Sequence, residues 1–224
     1  MVAARELRYA AKFISAASLA LLPEALSLTF GPACEIDGTC IPILKSRMTD
    51  GECIHKDILQ RCSWAVRAHA MAKRSMSDVD VYAAWASMQK AGCSEAAGSC
   101  HIHKCNCPTP STTADISGSH CTLWSQMGTR RKTKSHQIFF LLSWCLWVMW
   151  TKPVFLIHEN VPGFDENLMR FLLGDVYVML VLPAEPSQVG WSFVSRRRKY
   201  FVLWMSARVE ATCCMESMHP GLSV

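Results

Sequence analysis

The sequence predicts an α/β fold with a mostly parallel sheet. Short continuous apolar runs at Val154–Ile157, Val176–Leu182 and Tyr200–Trp204 have the length and composition of buried strands. The apolar segment over 136–150 is long enough for a buried helix. Strand-like and helix-like segments alternate, as they do where helices cross between parallel strands.

Taken in order, residues 13–30 are rich in Ala and Leu and favour a helix, interrupted at Pro23. Pro32 to Asp37 reads as a strand end carrying Glu35 and Asp37. Glu52 to Asp57 reads as a second short strand that ends in an aspartate. Residues 78–91 are expected to be helical, with Asp78 as the cap. Residues 94–120 are rich in Gly, Ser, Thr and Pro and read as loop. The tail after about residue 208 carries little structural signal, and no internal repeat is present.

Composition limits the classes of function. Half of the 224 residues are hydrophobic and 18% are charged, which excludes a disordered chain. The net charge of +5 is concentrated in two blocks, Arg130, Arg131, Lys132 and Lys134, then Arg196 to Lys199. Such blocks suit an anionic partner such as nucleic acid, although a charge run alone is more often a solvated surface. Twelve cysteines in so long and apolar a chain do not fit a small disulfide scaffold, and Cys145 within an apolar run fits a reduced, buried thiol.

Two segments have membrane-like features. Arg5, Arg8 and Lys12 precede the apolar stretch Phe13–Leu22, but Glu6 sits in the charged part and no small-residue cleavage site follows. Ile138 to Trp150 is uncharged, yet Lys152-Pro153 ends it well short of the roughly 18 residues of a spanning helix. A buried helix followed by a buried strand is expected, with no membrane partner. A cysteine-rich membrane-anchored protein is the weakest of the three readings of function.

The chemistry-bearing residues form an ordered series. Gly118-Ser-His-Cys-Thr-Leu-Trp-Ser-Gln-Met-Gly128 contains Cys121 in a loop. Lys152-Pro153 precedes the strand Val154–Ile157, which leads into Glu159-Asn160-Val161 and Pro162-Gly163-Phe164. Arg196, Arg198 and Tyr200 precede the last apolar run. In this order the series resembles the cytosine-C5 DNA methyltransferase family, with its cysteine loop, Glu-Asn-Val and Gln-x-Arg-x-Arg elements. Val194 stands where the family has glutamine, and His120 where it has the proline before the cysteine. Upstream, Glu35-Ile36-Asp37 and Asp57-Ile58 resemble the family's cofactor-contacting strand ends. The similarity runs over about 13–204.

The resemblance implies an incomplete, Rossmann-like S-adenosylmethionine-dependent methyltransferase fold over 1–208, with an irregular insertion at about 62–112 and a tail over 209–224. It implies Cys121 as nucleophile toward cytosine C6 and Glu159 as the carboxyl group facing N3, kept protonated by burial at its strand end. Arg196 and Arg198 would orient the base. Phe13, Glu35, Asp57 and Ile58 would contact S-adenosylmethionine. The implied substrate is a DNA cytosine drawn out of its stack, and a nuclear location follows if DNA is the substrate. Two departures set an alternative beside this reading. Phe13-Ile-Ser-Ala-Ala17 lacks both glycines of the family's cofactor loop, where the backbone must approach closely. The chain also ends before the family's target-recognition domain, so it is expected to be a truncated catalytic domain to which a partner chain would supply recognition. The alternative is an inactive module of the same fold that binds nucleic acid or protein.

Cys100-His-Ile-His-Lys-Cys-Asn-Cys107 offers Cys100, His101, His103, Cys105 and Cys107 as ligands. The spacing fits no C-x-x-C pair, so no metal site is assigned.

Overall fold

The computed structural model describes residues 31–46, 52–62, 67, 79–92, 97–125, 132–185 and 197–206. Phe13, the segment 13–30, Asp78, Arg130, Arg131, Arg196 and the tail over 209–224 lie outside the described residues.

Two short strands, β1 (Ala33–Cys34) and β2 (Ile54–His55), pair in parallel, with α1 (Ile41–Lys45) between them in sequence. Ile41, Leu44 and Ile54 bury together, and Ala33 and Ile102 pack on them. Asp57 then caps a 3-10 turn over Ile58–Arg61, its carboxylate accepting the Leu59 N–H at 2.9 Å. Ile58 and Leu59 carry this unit onto the main core.

The helix expected at 78–91 is α2 (Val81–Ala91), and its cap is Asp80 rather than Asp78. One Asp80 carboxylate oxygen accepts the N–H groups of Tyr82 and Ala83, at 3.0 and 3.2 Å. It thereby satisfies two of the amides a helix leaves unpaired at its start.

Residues 94–120 are not uniformly loop. They contain the antiparallel pair β3 (Ala97–Ser99) and β4 (Asn106–Pro108), and then β5 (Ala114–Gly118). None of these strands has a strong intrinsic preference; neighbouring strands impose them. The Lys56 N–H donates to Ser99 O at 2.9 Å and the His101 N–H to Ile54 O at 2.8 Å, which seats the hairpin against β2.

The larger sheet is four-stranded, in the order β5-β6-β8-β7, with β6 (Phe155–Asn160), β7 (Tyr177–Ala184) and β8 (Arg198–Met205). β5 and β6 are parallel, whereas β8 runs antiparallel to both β6 and β7. The described architecture is therefore mixed α/β, and the expectation of a mostly parallel sheet is corrected for this sheet. β7 and β8 are consecutive and adjacent, so the chain reverses between them instead of crossing over.

Between β5 and β6 runs α3 (Ile138–Thr151), apolar on every side. Ile138, Phe139 and every residue from Leu141 to Val148 are buried, as expected for a helix enclosed by protein. Its fourteen residues span about 21 Å at 1.5 Å per residue, against a bilayer core of about 30 Å. Among the described residues no helix is long and apolar enough to cross a membrane. Lys152, in the left-handed conformation at φ 48°, ends α3, and Pro153 prevents its continuation.

The sequence reading placed no helix over α4 (Glu166–Leu173). Asp165 caps it, and Leu168, Met169, Leu172 and Leu173 bury one face. Phe201 and Leu203 of β8 and Leu156 of β6 join that face and α3 in one core. On the other side of the sheet, Ile116, Val178, Leu180 and Leu182 are exposed.

Candidate active site

Strands β5 and β6 bring the predicted cysteine and glutamate loops to one end of the sheet. Gly118, the last residue of β5, pairs in register with Glu159 of β6. Cys121 follows three residues beyond Gly118 and opens a 3-10 turn over Cys121–Leu123. Both therefore lie at the carboxyl ends of adjacent parallel strands, where open α/β sheets form crevices.

The cysteine loop is held at several points. The Cys121 carbonyl accepts the N–H groups of Trp124 and Ser125, at 3.0 and 2.8 Å. The Thr122 hydroxyl donates to Gln137 Oε1 at 3.0 Å, which ties the turn to the start of α3. Asn160 Nδ2 donates to Ser119 Oγ at 2.8 Å, and Asn160 Oδ1 accepts the Val161 N–H at 2.9 Å. One amide side chain thus fixes the Glu-Asn-Val bend to the cysteine loop. A Cβ on Gly163 would lie 2.8 Å from the Trp124 carbonyl oxygen, so this approach of the two loops requires glycine. Trp124 and Phe164 then stack across the junction, with centroids 4.9 Å apart. Cys121 is a half-buried free thiol.

Alternation along β6 separates two environments. His158 and Asn160 face the helices. His158 lies among Trp144, Phe164 and Phe201, with its Nδ1 2.9 Å from Ser117 Oγ and its Nε2 3.1 Å from Ser119 Oγ. Burial holds His158 down to about 3, so it is neutral at physiological pH. The unfolded chain takes up a proton near 6.5 and the fold does not, so stability falls as pH drops below about 6.5. Urea midpoints measured at pH 7 and pH 5 are expected to show this loss. His158→Gln, which removes the titrating group, is expected to flatten it.

Glu159 points to the other face, where Arg198 of β8 forms an ion pair with it through Nε and Oε1. The two side chains are 5% and 9% exposed, so water screens the pair little. Arg198 Nη1 also donates to the Arg197 carbonyl at 3.0 Å. The sequence reading gave Glu159 a proton because it lies at a buried strand end. The structure adds a guanidinium set directly against that carboxyl group. Lys199, on the opposite face of β8, donates to Phe164 O at 3.1 Å and pairs with Glu166 at 2.7 Å, fastening the loop after Glu-Asn-Val. Sequence reasoning missed Ser119, His158 and Lys199; each acts by holding a loop, and only the register shows that.

His120 replaces a proline before the cysteine. Its ring packs on Phe140 at 4.9 Å, and burial, with smaller repulsion from His136, lowers its pKa. It therefore brings no positive charge to the thiol near neutral pH.

The acidic strand ends lie on the smaller sheet. Glu35 follows β1 and is buried, its Oε1 accepting the Asp37 N–H at 2.8 Å. Asp57 follows the neighbouring parallel strand β2. Asp37 Oδ1 accepts the Thr39 N–H at 2.9 Å, while Asp37 Oδ2 is buried without a hydrogen-bond partner among the described residues. A buried carboxylate oxygen of this kind calls for a donor. Glu35 and Asp37 together fit a hydroxyl-bearing group such as the ribose of S-adenosylmethionine. Ile58 packs half-buried against the main core. Phe13 and Arg196 lie outside the described residues.

No metal site was expected from the sequence, yet Cys53, Cys100, His103 and Cys107 come together with their ligand atoms within 4.8 Å of one another. His101 and Cys105 are not in this group; His101 Nε2 lies 3.2 Å from Glu35 O instead. Cys53 completes the set from the residue before β2, which spacing within 100–107 could not reveal.

No family model matches the chain, and no curated protein matches it. Among solved structures, it is similar to a protein assigned as a DNA modification methyltransferase encoded within a prophage (E. coli), at 17% identity and a TM-score of 0.46. That likeness covers 80% of this chain and 41% of the other, so the chain spans less than half of the matched protein's length.

Proposed function

We propose that this chain is a cytosine-C5 DNA methyltransferase-like module in which Cys121 forms a transient bond to cytosine C6. The observation that supports this most is the meeting of three elements at one sheet end. The Cys121 loop follows β5, Glu159 is the last residue but one of β6, and Arg198 reaches Glu159 from β8. S-adenosylmethionine supplies the methyl group when bound, and Glu35, Asp37 and Asp57 are the residues that would hold it.

Cytosine C5 is a weak nucleophile until the ring loses its aromaticity. The Cys121 thiolate forms an S–C6 bond, and the displaced π electrons make C5 nucleophilic and place charge on N3. Glu159 passes N3 a proton drawn from solvent, and Arg198 stabilises the carboxylate left behind. Once C5 carries the methyl group, its remaining proton leaves to water. The S–C6 bond then breaks as N3 returns its proton to Glu159, which restores the aromatic ring and the thiolate.

DNA containing 5-fluorocytosine tests this reading, because fluorine at C5 leaves no proton to lose. With S-adenosylmethionine, the chain is expected to form a denaturation-resistant species with such DNA, mapped by mass spectrometry to Cys121. DNA binding without any adduct would overturn the catalytic reading and leave an inactive binding module.

A further inference from the structure

We propose that Cys53, Cys100, His103 and Cys107 form a structural zinc site, separate from the Cys121 site, that clamps the β3–β4 hairpin to the β1–β2 pair.

The geometry is that of four ligands around one ion. His103 Nδ1 lies 3.6 Å from Cys53 Sγ, 3.6 Å from Cys100 Sγ and 3.3 Å from Cys107 Sγ. A tetrahedral ion with Zn–S of about 2.3 Å and Zn–N of about 2.0–2.1 Å has S···N edges of roughly 3.6 Å. Thiol–imidazole hydrogen bonds explain the arrangement less well. A ring nitrogen carries one proton or one lone pair, and so satisfies one sulfur rather than three. A shared cation accounts for all three contacts at once.

The local chain is built around the cluster. Cys100 follows β3 directly, and Cys107 lies in β4 opposite Gly98. Between them the Cys100 N–H donates to Cys105 O at 2.9 Å, and Lys104 adopts the left-handed conformation at φ 61°. This turn directs His103 back toward the strands. The Ile102 N–H points at Cys100 Sγ at 3.3 Å, a donor suited to a thiolate carrying metal-shared charge. Cys53 reaches the cluster from the residue before β2, so one ion would connect the hairpin to the β1–β2 pair.

Donor chemistry selects the metal. Three thiolates and one imidazole form a borderline-soft, closed tetrahedral set that suits zinc and leaves no position for substrate. The ion therefore holds structure and takes no part in reaction at Cys121.

The full chain, purified under reducing conditions from zinc-replete cells, is expected to contain one equivalent of zinc by elemental analysis. Cys53→Ser and Cys107→Ser are expected to lose it, and Cys105→Ser to retain it. A measurement on the unaltered protein covers variants that fail to fold. Zinc should protect three thiols from rapid alkylation, mapped by mass spectrometry to Cys53, Cys100 and Cys107, and a chelator should expose them. Zinc-free protein that cannot be reconstituted, protection of other cysteines, or a disulfide within the cluster would each overturn the proposal.

Discussion

Arg198→Ala is expected to destabilise the fold by about 3–5 kcal/mol, because it leaves the Glu159 carboxylate buried without its counter-ion. Both side chains are nearly enclosed, at 9% and 5% exposure, so solvent cannot replace the lost partner without opening the sheet end. Denaturant midpoints measured for a set of variants separate stability from function. Glu159→Gln leaves the enclosed Arg198 guanidinium without its carboxylate and is expected to destabilise as well. Arg198→Met combined with Glu159→Leu should recover most of the stability, since apolar residues of similar volume replace buried ion pairs at little net cost. If the pair served stability alone, that double variant would remain fully competent. Our reading requires it to be folded and inactive in methyl transfer. A double variant with retained transfer would remove Glu159 and Arg198 from the chemistry.

The pair also shows how far a sequence can be read. The apolar runs that became β6, β7 and β8 were legible because each is buried on at least one side and rich in branched or aromatic residues. The Ala-Gly-Ser of β3 carries no such signal; it is a strand because β4 and β2 satisfy its backbone. Strand direction was also hidden. The antiparallel placement of β8 depends on the reversal after β7, and composition does not record it. Helix α4 was legible and missed: Asp165 as cap, followed by apolar residues at Leu168, Met169, Leu172 and Leu173, has helical spacing.

At the site, residue identity came from order along the chain, whereas partnership came only from register. Glu159 and Arg198 could be named from the sequence. Their direct pairing could not. The ligand set around His103 is a stronger case. Three of its members lie within eight residues, from 100 to 107, but Cys53 enters from the residue before β2 through the seating of the hairpin.

Cys121→Ser is expected to reduce methyl transfer by at least about 10³-fold, or roughly 4 kcal/mol of barrier, with little change in stability or DNA binding. The chemical ground is the attacking atom. A cysteine thiol ionises near 8.5, so a few per cent is thiolate at pH 7, whereas a serine hydroxyl is essentially un-ionised there. The structural ground is that the turn depends on the Cys121 carbonyl, which holds the Trp124 and Ser125 amides, and not on its half-buried side chain. With His120 neutral and stacked on Phe140, no imidazolium assists the thiol. Labelled S-adenosylmethionine and cytosine-containing DNA measure the serine variant. Transfer by Cys121→Ser within tenfold of the unaltered chain would exclude Cys121 as the nucleophile.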